Sequence, residues 1–308
     1  MSDWVSATII DDDDFTNTKF NKLDNELKDE LKDELKDELK DELKDELKDE
    51  LILVVKKTRK YTKRASKVEK VDKEKVDKEP IVIECLLKKF YHSETNIIEV
   101  GCDEAGRGPM FGRVYSGAVV LPKDDSFDHF KMKDSKKFTS KNPKKIQEVA
   151  EYIKEHAVAW AVEYEDERVI DEINILQATQ SAMHKAIRSV LRQLNGIDTN
   201  NLFLLIDGNY FKPLTVFNKK NNRIENAKYE TVEGGDNKYT AIAAASILAK
   251  VERDKYIEDL CLENPELVER YGIDGNKGYG SKRHMDGIKQ YGITKWHRRT
   301  FGICKTFA

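Results

Sequence analysis

The 308-residue chain has no uninterrupted apolar run approaching the roughly eighteen residues that a membrane-spanning helix requires. Its four cysteines (Cys85, Cys102, Cys261, Cys304) form no C-x-x-C pair and are too sparse for a disulfide scaffold, so a reducing, cytoplasmic setting is expected. The opening MSDWVSATIIDDDD has neither a basic n-region nor an apolar h-region, and no secretory signal is expected. Six histidines make no H-E-x-x-H zinc site, and neither a G-x-S-x-G elbow nor a G-x-x-x-x-G-K-[ST] phosphate loop occurs. Gly106, Gly108 and Gly112 fail to complete G-x-G-x-x-G, which argues against a dinucleotide fold. A net charge of only −3 argues against indiscriminate coating of nucleic acid.

What is present is unevenly distributed. Hydrophobic residues make up 39% and charged residues 36%, with a mean hydropathy of −0.68, so part of the chain is expected to lie outside any core. Residues 1–92 hold 21 basic and 25 acidic side chains, leaving a net +1 on the remainder. Within them, residues 25–51 are nearly pure K-D-E-L repeat, with leucine at every fourth position from Leu27 to Leu51. On a helix turning about 100° per residue this stripe drifts by about 40° per repeat, so no straight apolar face forms. Like charges meet at every i,i+4 contact, as in Lys28–Lys32 and Glu30–Glu34. Residues 56–70 then carry eight Lys/Arg against Glu69 alone, which suits a phosphate-attracting patch, a solvated linker or a localisation signal. The expected organisation is a low-complexity extension over 1–92 without a stable fold, and a catalytic domain over 93–308.

Texture becomes globular near Ile97. The runs 97–102, 114–121 and 157–164 are short, apolar and β-branched, bounded by turn residues, and predict strands. Helical spacing covers 169–194, residues 202–206 (LFLLI) suit a strand covered on both faces, and 229–232 predicts another. A long alanine-rich helix over 238–262 and shorter ones over 265–271 and 282–291 follow. This order predicts a mixed-sheet α/β domain with a helical C-terminal region.

Three carboxyl sites fit poorly with plain packing. Asp103-Glu104 closes the first strand and leads straight into Ala-Gly-Arg-Gly, whose bland reading is a solvent-facing turn. Asp207 stands at the exit of LFLLI before Gly208, where α/β sheets place ligands. Asp254 shares a helical face with Ile247, Val251, Ile257 and Cys261, so it interrupts an apolar stripe. An unpaired carboxylate there would cost several kcal/mol, so either a salt bridge to Lys250, Arg253 or a distant base is present, or the acids converge on a cation. Oxygen ligands without His or Cys select Mg²⁺ or Mn²⁺.

Six blocks occur in one order: G-C-D-E-A-G-R-G-P (101–109), D-S-K-K (134–137), I-D-G-N (206–209), G-D-N-K…I-A-A-A-S-I-L-A-K-V-E-R-D (235–254), N-K-G-Y-G-S-K-R-H (276–284) and H-R-R-T-F (297–301). Together they resemble ribonuclease HII from about Ile97 to Phe301. The resemblance implies a ribonuclease H-like fold, a mixed five-stranded sheet flanked by helices. It implies four carboxylates, Asp103, Glu104, Asp207 and Asp254, holding two divalent ions, Mg²⁺ or Mn²⁺. The chemistry would be hydrolysis of the RNA strand of RNA–DNA hybrids and cutting 5′ of ribonucleotides embedded in duplex DNA, leaving 3′-OH and 5′-phosphate ends.

Gly106, Arg107 and Gly108 match the family's loop that reads the ribose 2′-OH. Tyr279 matches the tyrosine at the junction of a ribonucleotide with the following deoxyribonucleotide. Lys136 and Lys137 match positions near the substrate backbone. The G-R-G loop and the fourth aspartate favour type HII over type HIII. The extension, the polar insert near 218–226 and Gly234, where the family often has lysine, depart from the pattern. No clamp-binding motif is read near the C-terminus, and a monomer without membrane association is expected. The competing readings are a hybrid-binding protein without activity, which intact carboxylates oppose, and another nuclease of the same fold such as a resolvase, which the G-R-G loop and Tyr279 oppose.

Overall fold

The computed structural model describes residues 87–132, 143–194, 198–218 and 220–308. The K-D-E-L repeat, the basic segment 56–70, Lys136 and Lys137 lie outside the described residues.

Strands β1 (Ile98–Ala105), β2 (Val114–Val120), β3 (Ala159–Glu165), β4 (Leu202–Asp207) and β7 (Lys228–Val232) form one sheet in the order β3-β2-β1-β4-β7. The pairs β1–β2 and β2–β3 are antiparallel, whereas β1–β4 and β4–β7 are parallel. β1 and β4 therefore end on the same side, and β1 pairs through Cys102 with Ile206, one step before each acid. That register, set by two buried apolar runs, brings Asp103 and Asp207 to one sheet edge.

Helices cover both faces. Helix α1 (Pro143–His156) precedes β3, and α2 (Glu167–Gln193) follows it. α2 starts at Asp166, whose side chain accepts from the Val169 N–H, and its backbone breaks at Asn174 (φ 67°, ψ 163°). Asn174 caps the second segment by accepting from the Gln177 N–H at 3.1 Å, a bond that helps hold a positive-φ backbone non-glycine residues rarely adopt. One core layer joins Val100, Cys102, Ala118, Leu204 and Ile206 to Met183, Ile187 and Val190 of α2.

The opposite face is covered by α1 and by α3 (Thr240–Glu263), whose alanines let it lie close on β1 and β2. Gly101 and Gly117 set that distance: a Cβ at Gly117 would stand 2.3 Å from the Ala245 carbonyl oxygen, and one at Gly101 2.3 Å from the Ala241 carbonyl carbon. A third apolar cluster joins Met110, Phe111 and Ile257 to α4 (Pro265–Tyr271), the single turn α5 (Ile273–Asn276) and α6 (Lys282–Tyr291).

The predicted strands and helices are present with ends shifted by a few residues. Two elements differ from expectation. Helix α1 has a lysine-rich sequence whose apolar face, Ile146, Val149 and Ile153, is narrow. The polar insert forms a hairpin of β5 (Thr215–Asn218) and β6 (Arg223–Asn226), which Asn218 steadies by donating from its amide to Glu225 at 2.6 Å. Residues 87–92 are seen along the domain: Lys88 pairs with Tyr239, donating its N–H to the Lys238 carbonyl at 2.8 Å, and Tyr91 stacks on Phe203.

Candidate active site

Asp103, Glu104 and Asp207 each offer a carboxylate oxygen within 4.8 Å of the others, the one such acidic cluster of potential metal ligands among the described residues. Asp103 is 5% exposed and is held in place from several sides. It accepts from the Glu104 N–H at 2.7 Å and from the Ser246 hydroxyl of α3, while its own carbonyl accepts from the Ser116 hydroxyl at 2.9 Å. Asp207 accepts from the Gly235 N–H at 2.6 Å. A Cβ at Gly235 would stand 2.5 Å from Ile242 and 3.3 Å from Asp207 Oδ1, so a side chain there would press on the anchor.

Burial, and after it the charges of Glu104 and Asp207, raise the Asp103 carboxyl well above its ordinary range. Arg107 faces this cluster, its Nη1 3.3 Å from Glu104 Oε1. A crowded, all-oxygen donor set with a buried member in need of positive charge fits a hard divalent cation.

Asp254 is placed differently. It lies on α3, partly exposed, with Oδ2 2.6 Å from Lys250 Nζ one turn earlier. The salt bridge that the stripe left open is thus the arrangement seen, and the three-acid cluster does not include this residue.

Beside the acids, Gly106 adopts φ +92°, and a Cβ there would strike Arg253 Nε at 2.3 Å. Only glycine combines that backbone with that approach. Gly108 lies against Tyr279, whose ring edge is 3.5 Å from the position of a Cβ at 108, and Tyr279 is 53% exposed. The two expected recognition elements therefore adjoin, although 170 residues separate them in sequence. A hydrogen-bond chain supports the Tyr279 turn: the Thr294 N–H donates to His297 Nδ1 (2.9 Å), His297 Nε2 meets His284 Nε2 (3.1 Å), and His284 Nδ1 meets the Tyr279 carbonyl (2.8 Å). These partners assign Nε2–H to His297 and Nδ1–H to His284, both neutral.

Sequence reasoning missed Ser246, Gly235 as the Asp207 anchor, and the buried arginines Arg253 and Arg298. Each sits inside a quoted block, but a block shows that a position matters and not what it touches.

The sheet, its flanking helices and the acids at the ends of β1 and β4 make an α/β domain with a carboxylate cluster at one sheet edge, suited to a hard divalent cation. Solved structures agree on the fold. Ribonuclease H2 from Pyrococcus horikoshii OT3 superposes with a TM-score of 0.51 at 24% identity, over 68% of this chain and 97% of that one. Bst-RNase HIII in complex with Mn²⁺ gives 0.52 at 17% identity, over 80% and 79%.

Sequence comparison is narrower. Residues 100–304 match the family described as Ribonuclease HII. Ribonuclease HII of Parabacteroides distasonis is 42% identical over 212 residues, covering 69% of this chain and 94% of that protein. That of Bacteroides thetaiotaomicron is 42% identical over 208 residues, covering 68% and 91%. The chain belongs to the ribonuclease HII family and is a ribonuclease H hydrolase of RNA–DNA hybrids, a family dependent on divalent metal. No described helix is long and apolar enough to cross a membrane.

Proposed function

We propose that this enzyme cuts 5′ of a ribonucleotide, in RNA–DNA hybrids and at single ribonucleotides within duplex DNA, using Asp103, Glu104, Asp207 and Asp254 as ligands for two divalent ions. The observation that carries the reading is the adjacency of the three-carboxylate cluster to the Gly106–Gly108 loop and Tyr279. Ions bound at the acids would supply an activated water and neutralise charge at the leaving 3′ oxygen.

The protein's own groups do the rest. Asp103 and Asp207, anchored by Ser246 and by the Gly235 amide, present oxygens in a fixed arrangement, so little reorganisation accompanies ion binding. Asp254, paired here with Lys250, would be the fourth residue to hold the ions. The glycines allow backbone to approach a ribose, whose 2′-OH distinguishes RNA from DNA, and Tyr279 offers an exposed ring to the adjoining sugar. Lys136 and Lys137 would contact the substrate backbone, and the catalytic unit would need nothing from the first 80 residues.

A gel assay comparing a duplex containing one ribonucleotide with its all-DNA twin, in Mg²⁺ and in Mn²⁺, tests this. Cleavage of the first alone, on the 5′ side of the ribonucleotide, is expected. Equal cleavage of both would overturn the reading, and binding of a hybrid without cleavage would favour an inactive hybrid-binding protein.

A further inference from the structure

In the block H-R-R-T-F, His297 supports the Tyr279 turn, and Arg298, so far without a role, is the largest fully buried side chain described, at 0% exposure. Its guanidinium donates to four backbone carbonyls: Nε to Gly112 (2.8 Å), Nη1 to Arg107 (2.9 Å) and Pro109 (2.8 Å), and Nη2 to Gly106 (2.6 Å). Burial, and then the neighbouring Arg253, lower its pKa to about 9, so at neutral pH it stays charged and is matched by carbonyl dipoles.

Arg253 is 3% exposed and lies directly beneath Gly106. Its Nη2 donates to the Lys277 carbonyl at 2.8 Å, in the turn that carries Tyr279, while its Nε is buried with no hydrogen-bond partner. Two cross-links tie the segments further, Met110 N–H to the Gly278 carbonyl (2.9 Å) and Arg298 N–H to the Met110 carbonyl (2.8 Å).

We propose that Arg298 and Arg253 are positioning residues for ribose discrimination, Arg298 holding the Gly106–Gly108 loop and Arg253 holding the Tyr279 turn against it. The inference rests on the ribose-reading role proposed above. Peptide planarity supplies the mechanism. A carbonyl and the next residue's N–H point in opposite directions across a trans peptide. Turning the Gly106 and Arg107 carbonyls inward onto one guanidinium therefore turns the N–H groups of Arg107 and Gly108 away from it, on a loop whose Gly108 adjoins the exposed Tyr279. Two successive donors on a rigid backbone form a directional reader for a hydroxyl oxygen. A lysine at 298 keeps the charge but loses the planar fork that serves four carbonyls at once.

The test uses full-length wild type, Arg298→Lys and Arg253→Lys. One readout needs no substrate: the rate of trypsin cleavage after Arg107 and after Lys277, identified by mass spectrometry, with cleavage after the exposed Arg168 as internal control. Arg298→Lys is expected to raise cutting at Arg107 at least tenfold, and Arg253→Lys to do so at Lys277, with Arg168 unchanged. The other readout is the ratio of Kd values for the single-ribonucleotide duplex and its all-DNA twin, by fluorescence anisotropy in EDTA. It should fall toward one in both variants, while Mn²⁺ affinity of the protein alone stays as in wild type.

Unchanged trypsin rates would overturn the clamp, and faster cutting with an intact Kd ratio would overturn the positioning role. If Arg298→Lys does not fold, Arg253→Lys decides by the same two criteria. A wild-type Kd ratio of one would instead refute the ribose-reading role on which the inference stands, while the trypsin rates would still decide whether the clamp exists.

Discussion

Asp103→Asn should make the metal-free enzyme more stable and the metal-loaded enzyme inactive. Two unit charges 4.8 Å apart, the upper limit of separation in the acidic cluster, repel by roughly 3.5 kcal/mol at an effective dielectric of about 20. Asparagine at 103 removes two of the three repulsive pairs. Burial and the neighbouring charges raise the Asp103 carboxyl above its ordinary range, which offsets part of this repulsion in the wild type, so the net gain is about 1–3 kcal/mol. Asn keeps the oxygen that accepts from the Glu104 N–H, so the backbone has no reason to move. For a domain of this size, about 2–4 °C of Tm accompanies each kcal/mol, which sets the expected rise in EDTA at about 2–12 °C.

Metal should reverse the order. An ion at 100 times its Kd stabilises by about 2.7 kcal/mol, so wild type should gain about 5–11 °C in Mg²⁺ or Mn²⁺ and the variant far less. Differential scanning fluorimetry with EDTA and with a metal titration measures both, beside the cleavage assay. A variant that is less stable than wild type in EDTA, or that gains as much from metal as wild type does, would refute the assignment of these carboxylates.

Other expectations follow from packing and charge. Burial lowers the pKa of His297 to about 3 and of His129 to about 4, and also lowers that of His284. The stability these neutral histidines contribute is therefore complete above their unfolded pKa near 6.5 and is lost as pH falls below it, at up to about 1.4 kcal/mol per pH unit for each. Urea midpoints at pH 7.5, 6 and 5 should decline in that order, and a flat profile would contradict it. Gly117→Ala places a methyl 2.3 Å from the Ala245 carbonyl oxygen, which is backbone and cannot step aside, so α3 must shift with Asp254. A cost of about 3 kcal/mol, seen as a Tm lower by about 6–12 °C together with reduced activity, is expected, and an unchanged Tm would show that the sheet–helix spacing is adjustable. A chain beginning near Pro80 should keep its cleavage position and kcat but show a shallower dependence of KM on salt, each lost phosphate contact removing about 0.9 from the log–log slope. Coincident KM-against-salt curves for the full and shortened chains would leave the charged extension without a role in substrate binding.

How much of this was legible beforehand varies with the kind of interaction. Apolar runs such as LFLLI predict strands because burial of a continuous β-branched or leucine-rich segment depends on local pattern alone. The acids at strand ends stand out for the same reason, since a carboxylate beside a buried run is a local contradiction. Helix α1 and the β5–β6 hairpin did not stand out. Both sequences are mostly polar: α1 packs its few apolar residues on partners distant in the chain, and the hairpin leaves Phe217 and Ile224 exposed.

The sequence by itself determined the chemistry on offer: carboxylates at strand ends without His or Cys beside them, glycines that allow close backbone approach, and an extension dominated by repeated charges. Only the tertiary structure decided which of those groups meet. Parallel pairing of β1 with β4 brings Asp103 and Glu104 to Asp207 across a hundred residues, whereas Asp254 stays with Lys250 one helical turn away. Arg298 could be read from sequence as one more surface cation. It became the anchor of a loop 190 residues earlier because a buried guanidinium needs several acceptors, and the inward carbonyls of residues 106–112 supply them.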